Sequence, residues 1–136
     1  MNKSESNFWG LIRSHLPYGC DFQRIETGST GRGIPDVNLC YGGKEIWVEL
    51  KIVNGRKIDL SPEQVSWAHR RWRAGGTSYI MARYMTDGPR VGKNDRIILW
   101  EGKFAPLVKA DGIDYAPCAQ WDRPFPWMNI LERLFQ

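Results

Sequence analysis

A mixed α/β domain is what the sequence predicts, on three observations. Two runs of strand character flank Gly42-Gly43, a helix opens with a full start signal at Ser61, and further helix- and strand-type runs alternate on either side. Taken in order, residues 5 to 16 carry Phe8, Leu11, Ile12 and Leu16 at helical spacing, and Pro17 and Gly19 stop that helix. Asp21 to Thr27 reads as a strand, followed by the loop Gly28-Ser29-Thr30-Gly31-Arg32-Gly33. Strands at 35 to 41 and 45 to 51 join at Gly42-Gly43, a hairpin turn signal. Ser61 is a good N-cap, Pro62 suits the first helical position, and Gln64 falls where a capping box needs it. That helix runs to about Ala74, with Val65, Ala68 and Trp72 as its core stripe, and ends at Gly75-Gly76. Ser78 to Tyr84 reads as a strand and Ile97 to Trp100 as another, hairpinned through Gly102 to residues 104 to 108. Pro126 opens a terminal helix carrying Trp127, Ile130, Leu131 and Leu134. The order is α-β-β-β-α-β, then a hairpin and a helix.

The 136 residues fit one domain, with a core over about 5–84 and an extension over 85–136 packed on the same domain. Hydrophobic residues at 42% and charged residues at 25% set the chain apart from disordered sequences. No apolar run approaches the ~18 residues of a membrane span, and Met1-Asn2-Lys3-Ser4-Glu5 lacks a signal pattern. The expected location is the cytoplasm of whatever cell makes or hosts the protein. Cys20, Cys40 and Cys118 are far apart and odd in number, and His15 and His69 are not placed to complete a zinc site. Reduced thiols and no zinc are expected. The net charge of +4 is uneven: Arg70, Arg71 and Arg73 cluster with Trp67 and Trp72, and Arg83, Arg90, Lys93 and Arg96 surround a glycine-rich loop. Basic groups interleaved with aromatics suit nucleic acid; a plainly solvated surface accounts for them equally well.

The central hairpin carries chemistry. If Gly42-Gly43 is a two-residue turn, Tyr41 pairs with Lys44 and Asp36 falls opposite Glu49. Val37, Leu39, Tyr41, Ile46, Val48 and Leu50 then share one apolar face, which must be core. Asp36, Asn38, Glu45, Trp47, Glu49 and Lys51 share the other. Like charges directly opposite one another on a sheet destabilise it by roughly 0.2–1 kcal/mol. A divalent cation between the carboxylates removes that conflict, since magnesium binds through one or two carboxylates plus substrate phosphate. Such an ion would polarise a phosphodiester and acidify an attacking water, with Lys51 orienting the water or meeting the growing phosphate charge. The alternative is that Lys51 is a surface counter-ion to Glu49. Helix patterns on each side argue that this face is partly covered, which favours the metal site.

Pro35-Asp36 and, after twelve intervening residues, Glu49-Leu50-Lys51 resemble the PD-(D/E)XK nuclease motif. Gly33-Ile34-Pro35-Asp36, Val48-Glu49-Leu50-Lys51 and Leu60-Ser61-Pro62-Glu63-Gln64, with Gly75-Gly76 beyond, are similar to the small VRR-NUC branch. That branch is close in core to Holliday-junction resolvases and is common in phages. The resemblance covers about residues 5 to 84. It implies a restriction-endonuclease-like core with a mixed sheet and phosphodiester hydrolysis with magnesium, or manganese in its place. It also implies metal ligation by Asp36, Glu49 and the Leu50 carbonyl, with Lys51 assisting the nucleophile.

Further positions are candidates. Glu5 shares the stripe of Trp9, Ile12 and Leu16, and an acid on the first helix completes the metal site in related nucleases; a capping box from Asn2 also accounts for it. Glu26 is a weaker substitute. Gln64 either caps its helix or also faces the site, as the family pattern places a glutamine there. Ser29, Thr30 and Arg32 form a loop able to close on a phosphate, or a plain surface loop. Arg70, Arg71 and Arg73 either contact DNA phosphates or complement the helix C-terminus. His15 lies on the first helix's core stripe and reads as structural.

The expected partner is therefore DNA, branched or junction DNA first, cut by a homodimer because symmetric junction cleavage needs two active sites. A nicking, flap or restriction-type nuclease on the same fold, or a non-catalytic DNA-binding module, are the alternatives.

Overall fold

The computed structural model describes residues 2–26, 32–85 and 95–136. Its order is α1 (Lys3–Arg13), β1 (Asp21–Arg24), β2 (Val37–Tyr41), β3 (Lys44–Val53), α2 (Pro62–Arg73), β4 (Ser78–Tyr84), β5 (Arg96–Glu101), α3 (Ala105–Asp111), β6 (Ala119–Asp122) and α4 (Trp127–Leu134). The strands form one sheet in the order β1-β2-β3-β4-β5-β6. Neighbours are antiparallel except β3 and β4, which are parallel and joined by α2, the crossover that a parallel pair requires.

The hairpin has the expected register. Tyr41 pairs with Lys44, and the ladder runs to Val37 opposite Val48. Gly42 and Gly43 have φ of 60° and 80°, the left-handed conformations that a two-residue turn of this hand demands. Alternation along the strands then sorts the side chains into two cores. Val37, Leu39, Ile46, Val48, Leu50, Tyr79 and Met81 pack with Phe8, Trp9 and Ile12 of α1 and Ile130, Leu131 and Leu134 of α4. On the other face, Val53, Ile80, Ala82, Ile98 and Trp100 pack with Ala68 of α2 and Ala105 and Val108 of α3. The domain is thus three layers, helix–sheet–helix.

Three expectations are corrected. Residues 105–111, expected to lie in a strand after Gly102, are helical, with Pro106 in the first turn, where its missing N–H costs nothing. The strand that pairs with β5 is instead β6, with Leu99 opposite Ala119 and Arg96 opposite Asp122. In α2, Trp67 is buried at 8% exposure while Trp72 stands 47% exposed, so the core stripe passes through Trp67 rather than Trp72. His15 lies beyond the end of α1, exposed, with its ring stacked on Trp127 at 4.7 Å rather than buried. The three cysteines are free thiols.

At the far end of the sheet, buried Asp95 receives both Nε and the terminal nitrogen of Arg83 at 3.0 and 2.8 Å, with Arg123 at 3.5 Å. A carboxylate this deep needs such pairing. It pins the start of β5 to β4.

Candidate active site

Asp36 stands one residue before the β2–β3 ladder, beside Glu49. Its Oδ2 accepts the Leu50 N–H at 2.8 Å, which holds the carboxylate against β3 instead of leaving it to turn toward solvent. The Leu50 side chain is fully buried in the opposite core. With its N–H engaged by Asp36, the carbonyl is the one group of Leu50 that could serve a cation.

Glu49 is 7% exposed. It sits on the face covered by α2, as the alternation of β3 dictates. Lys51, two residues on and on the same face, brings its Nζ to 3.7 Å from Glu49 Oε2. Both side chains are largely shielded from water, so this is not an exposed counter-ion pair of small consequence.

Gln64 joins the two. Its Nε2 donates to Glu49 Oε2 at 3.2 Å, and its Oε1 accepts from Lys51 Nζ at 3.2 Å. The same Oε1 accepts the Ser61 N–H at 2.9 Å, while the Gln64 N–H donates to Ser61 Oγ at 3.1 Å. The capping box and the site contact, which read as alternatives from sequence, are properties of one side chain. α2 is therefore locked by its N-terminus to the carboxylate it covers.

Gly33 completes this junction. Its φ is 79°, and a Cβ there would overlap the Glu63 carbonyl, so the chain leading to Asp36 can lie directly on the first turn of α2 only with glycine. Pro35 is buried beneath it.

Glu49 carries the strongest electrostatic strain of the group. Burial first, and the Asp36 charge second, push Glu49 up to about 9. Lys51 pulls the other way, and the hydrogen bond with Asp36 and the more distant Glu5 add to the rise. At neutral pH the Glu49 carboxyl thus holds a proton against Asp36. Strong perturbation by burial together with a like-charged partner is typical of functional carboxyls.

The remaining candidates divide. Glu5 lies in the first turn of α1; Asn2 Oδ1 accepts its N–H at 2.9 Å, and Asn2 Nδ2 lies 3.4 Å from its carboxylate. It touches the site only through its charge, the last of the influences on Glu49. Among the described residues no cluster of three or more acidic, histidine or cysteine side chains forms a ready-made metal cage. Glu26 is exposed and pairs with Arg24 at 3.9 Å. Arg32 is exposed, while Ser29 and Thr30 lie outside the described residues. Of the α2 arginines, Arg70 donates to Ser66 Oγ at 2.7 Å, and Arg71 lies over the Trp67 ring at 4.5 Å and the Trp47 ring at 5.6 Å. Arg71 is thus part of a stacked wall beside the site, and Arg73 projects into solvent.

Sequence reasoning missed that wall. Trp47 lies on the polar face two residues from Glu49, and its ring meets Trp67 edge-on at 5.5 Å. The signal present in the sequence was a tryptophan on a face otherwise made of polar groups.

The groups free to serve suit a hard cation: two carboxylates and a backbone carbonyl, with no sulfur or imidazole. Two carboxyls against a single ammonium leave room for added positive charge, and the proton on Glu49 marks where it would act.

No protein-family model matches the chain, and no curated protein matches it. Solved structures do. The chain has a restriction-endonuclease-like α/β fold. It is similar to Hjc, a Holliday-junction resolvase of the archaeal hyperthermophile Archaeoglobus fulgidus, with a TM-score of 0.52 over 90% of this chain and 87% of that chain, at 14% sequence identity.

Proposed function

We propose that this chain is a divalent-metal-dependent endodeoxyribonuclease that hydrolyses phosphodiester bonds in branched DNA, four-way junctions first. The observation that carries the proposal is the buried Asp36–Glu49 pair, tied by Gln64 to Lys51 on the covered face of a resolvase-like sheet. Magnesium is the ion that fits, with manganese as substitute. Asp36, Glu49 and the Leu50 carbonyl would hold it, and Glu5 is placed to adjust the charge. When bound, the ion would polarise the phosphodiester and acidify the attacking water.

The chain's own residues supply the rest. Asp36, fixed by the Leu50 N–H, presents a carboxylate that needs no reorganisation when substrate arrives. A metal ligand must be deprotonated, so Glu49 would hold the cation only as the carboxylate. Lys51, held by Gln64, presents an ammonium to the phosphate oxygens. Arg32, with Ser29 and Thr30, would contact the DNA backbone near the cut, and Arg70 and Arg73 a more distant phosphate. A single domain is part of this reading, because β5, β6 and α4 complete the same sheet and core. So are assignment to the phage-type VRR-NUC branch, a cytoplasmic site of action and a dimer on junction DNA. Among the described residues, no helix is long and apolar enough to cross a membrane.

The test is direct. Purified protein is incubated with a four-way junction, a flap and linear duplex, with magnesium, with manganese and with chelator. Cleavage that requires the ion and is lost in Asp36→Ala and Lys51→Ala is expected. No cleavage of any substrate with either metal would end the enzyme reading. Cutting of flap or nicked duplex in preference to the junction would keep the chemistry and change the substrate. A strict monomer on junction DNA would rule out symmetric resolution.

A further inference from the structure

We infer that the cavity beside Trp72 receives an unpaired nucleobase of the DNA strand that crosses the Asp36–Glu49 centre, with the indole as its stacking platform; this rests on the nuclease reading above. Trp72 faces solvent because the stack of Trp47, Trp67 and Arg71 already fills the sheet-facing slot of α2. It forms one wall of an open cavity of about 260 Å³, whose other walls include Lys44, Thr77, Ser78, Glu101 and Lys103.

These walls are unsuited to an apolar occupant and suited to a nucleotide. An exposed indole offers a face on which any base can stack. The hydroxyls of Thr77 and Ser78 can donate to or accept from a base edge, and Glu101 can accept from an exocyclic amine. Glu101 does not repel the strand, since Lys103 at 3.4 Å and Arg133 at 3.6 Å neutralise it. Lys44, which also meets the Gln136 carbonyl, and Lys103 stand on the cavity wall as phosphate contacts. Arg73, exposed on the same turn as Trp72, extends the positive surface.

The position fits as well. Ser78 pairs in register with Trp47, two residues before Glu49 on β3. Trp72 itself stands eight residues along α2 from Gln64, which touches Glu49, about 12 Å of helix rise, the span of three to four nucleotides at about 3.4 Å each. A base held at Trp72 would therefore belong to a nucleotide about three or four from the one being cut. A paired base must first be unstacked and unpaired, at a cost of a few kcal/mol, whereas an unpaired one need not be. The cavity thereby selects branched or frayed DNA over continuous duplex.

The experiment uses the full chain carrying Asp36→Ala, in chelator, so that binding is read without cleavage. The fluorescent base 2-aminopurine is placed in turn at each position on either side of the branch point of a flap and a four-way junction. Quenching is expected at one position, in the strand that is cut. Adding Trp72→Ala should abolish it and weaken binding of these substrates about 5- to 150-fold, the equivalent of one stacked base. Binding of continuous duplex should change less than about twofold by the same accounting, because no base is stacked there. Trp72→Phe should restore most of both signals, and unchanged circular dichroism would show that the fold is intact. Equal weakening on branched and continuous DNA, no weakening at all, or a Trp72→Phe variant as poor as Trp72→Ala would overturn the inference. Trp72-dependent quenching by a protein that cuts nothing with metal would sink the nuclease reading and leave the base pocket standing. Cleavage by wild-type protein without such quenching would do the reverse.

Discussion

Glu49→Gln should make the protein more stable at alkaline pH and change it little at pH 5. Glu49 is buried, and its carboxyl is pushed from the ordinary carboxylate range up to about 9 by burial and by Asp36. Between those limits the folded protein holds a proton that the unfolded chain has released. Stability must then fall as pH rises through this window, because the unfolded state binds fewer protons. The contribution is fully present below the unfolded pKa and is lost by about pH 9. At 1.36 kcal/mol for each unit of displacement, the whole span from 4.5 to about 9 corresponds to a ceiling of about 6 kcal/mol. Relaxation and water entry around an ionised carboxylate reduce this, and an effect of about 2–4 kcal/mol is expected. Glutamine has the same shape, can still accept from Gln64 and never ionises. Urea unfolding of parent and variant in chelator, at pH 5, 7 and 9, measures the difference. The two midpoints should nearly coincide at the lowest pH and separate steadily above it, the variant being the more stable. Curves that stay parallel from pH 5 to 9 would refute the argument that Glu49 is held protonated by its surroundings. Magnesium should stabilise the parent at pH 8 through mass action on the folded state, and should do so far less for the variant.

Three other outcomes follow from the same contacts. Asp36→Ala and Lys51→Ala should each lower the cleavage rate by about 100-fold or more while leaving the far-ultraviolet circular dichroism unchanged; a variant that cuts at the parental rate removes that residue from the chemistry. Gln64→Leu loses a helix cap and the link between Glu49 and Lys51, so chemical denaturation should show a loss of about 1–2 kcal/mol, with cleavage impaired in excess of the unfolded fraction. Gly33→Ala must adopt a positive φ and displace the Glu63 carbonyl, so a loss of more than about 1 kcal/mol is expected, with weaker cleavage because Asp36 follows on the same segment; calorimetry and a cleavage assay check both.

Much of this molecule was legible because the interactions concerned are local. The Gly42-Gly43 turn and the period of two set the β2–β3 register, and that register put Glu49 and Lys51 on one face with Leu50 on the other. Serine, proline and glutamine at consecutive cap positions set the start of α2 in the same way. Each result needs only neighbours within a few residues, so no knowledge of the remaining chain was required. The strand at 97–100 was also readable, but its partner was not. Residues 104 to 108 were near enough to fold back on it, yet they form a helix whose Ala105 and Val108 fill the core beneath Trp100, and a strand twenty residues further on takes the edge.

The candidate site divides along the same line. That Asp36, Glu49 and Lys51 lie together was determined by the sequence alone, through turn geometry and alternation. What holds Glu49 protonated, and makes the group more than a charged patch on a sheet, was decided only by the docking of α2. That docking buries the carboxyl and brings Gln64 across from another element. The same docking chose Trp67 over Trp72 for the slot against Trp47 and left Trp72 facing outward. Helical spacing names which residues can share a stripe. Which of two tryptophans is buried depends on the shape of the surface that the helix meets, and that surface is made by strands distant in the chain.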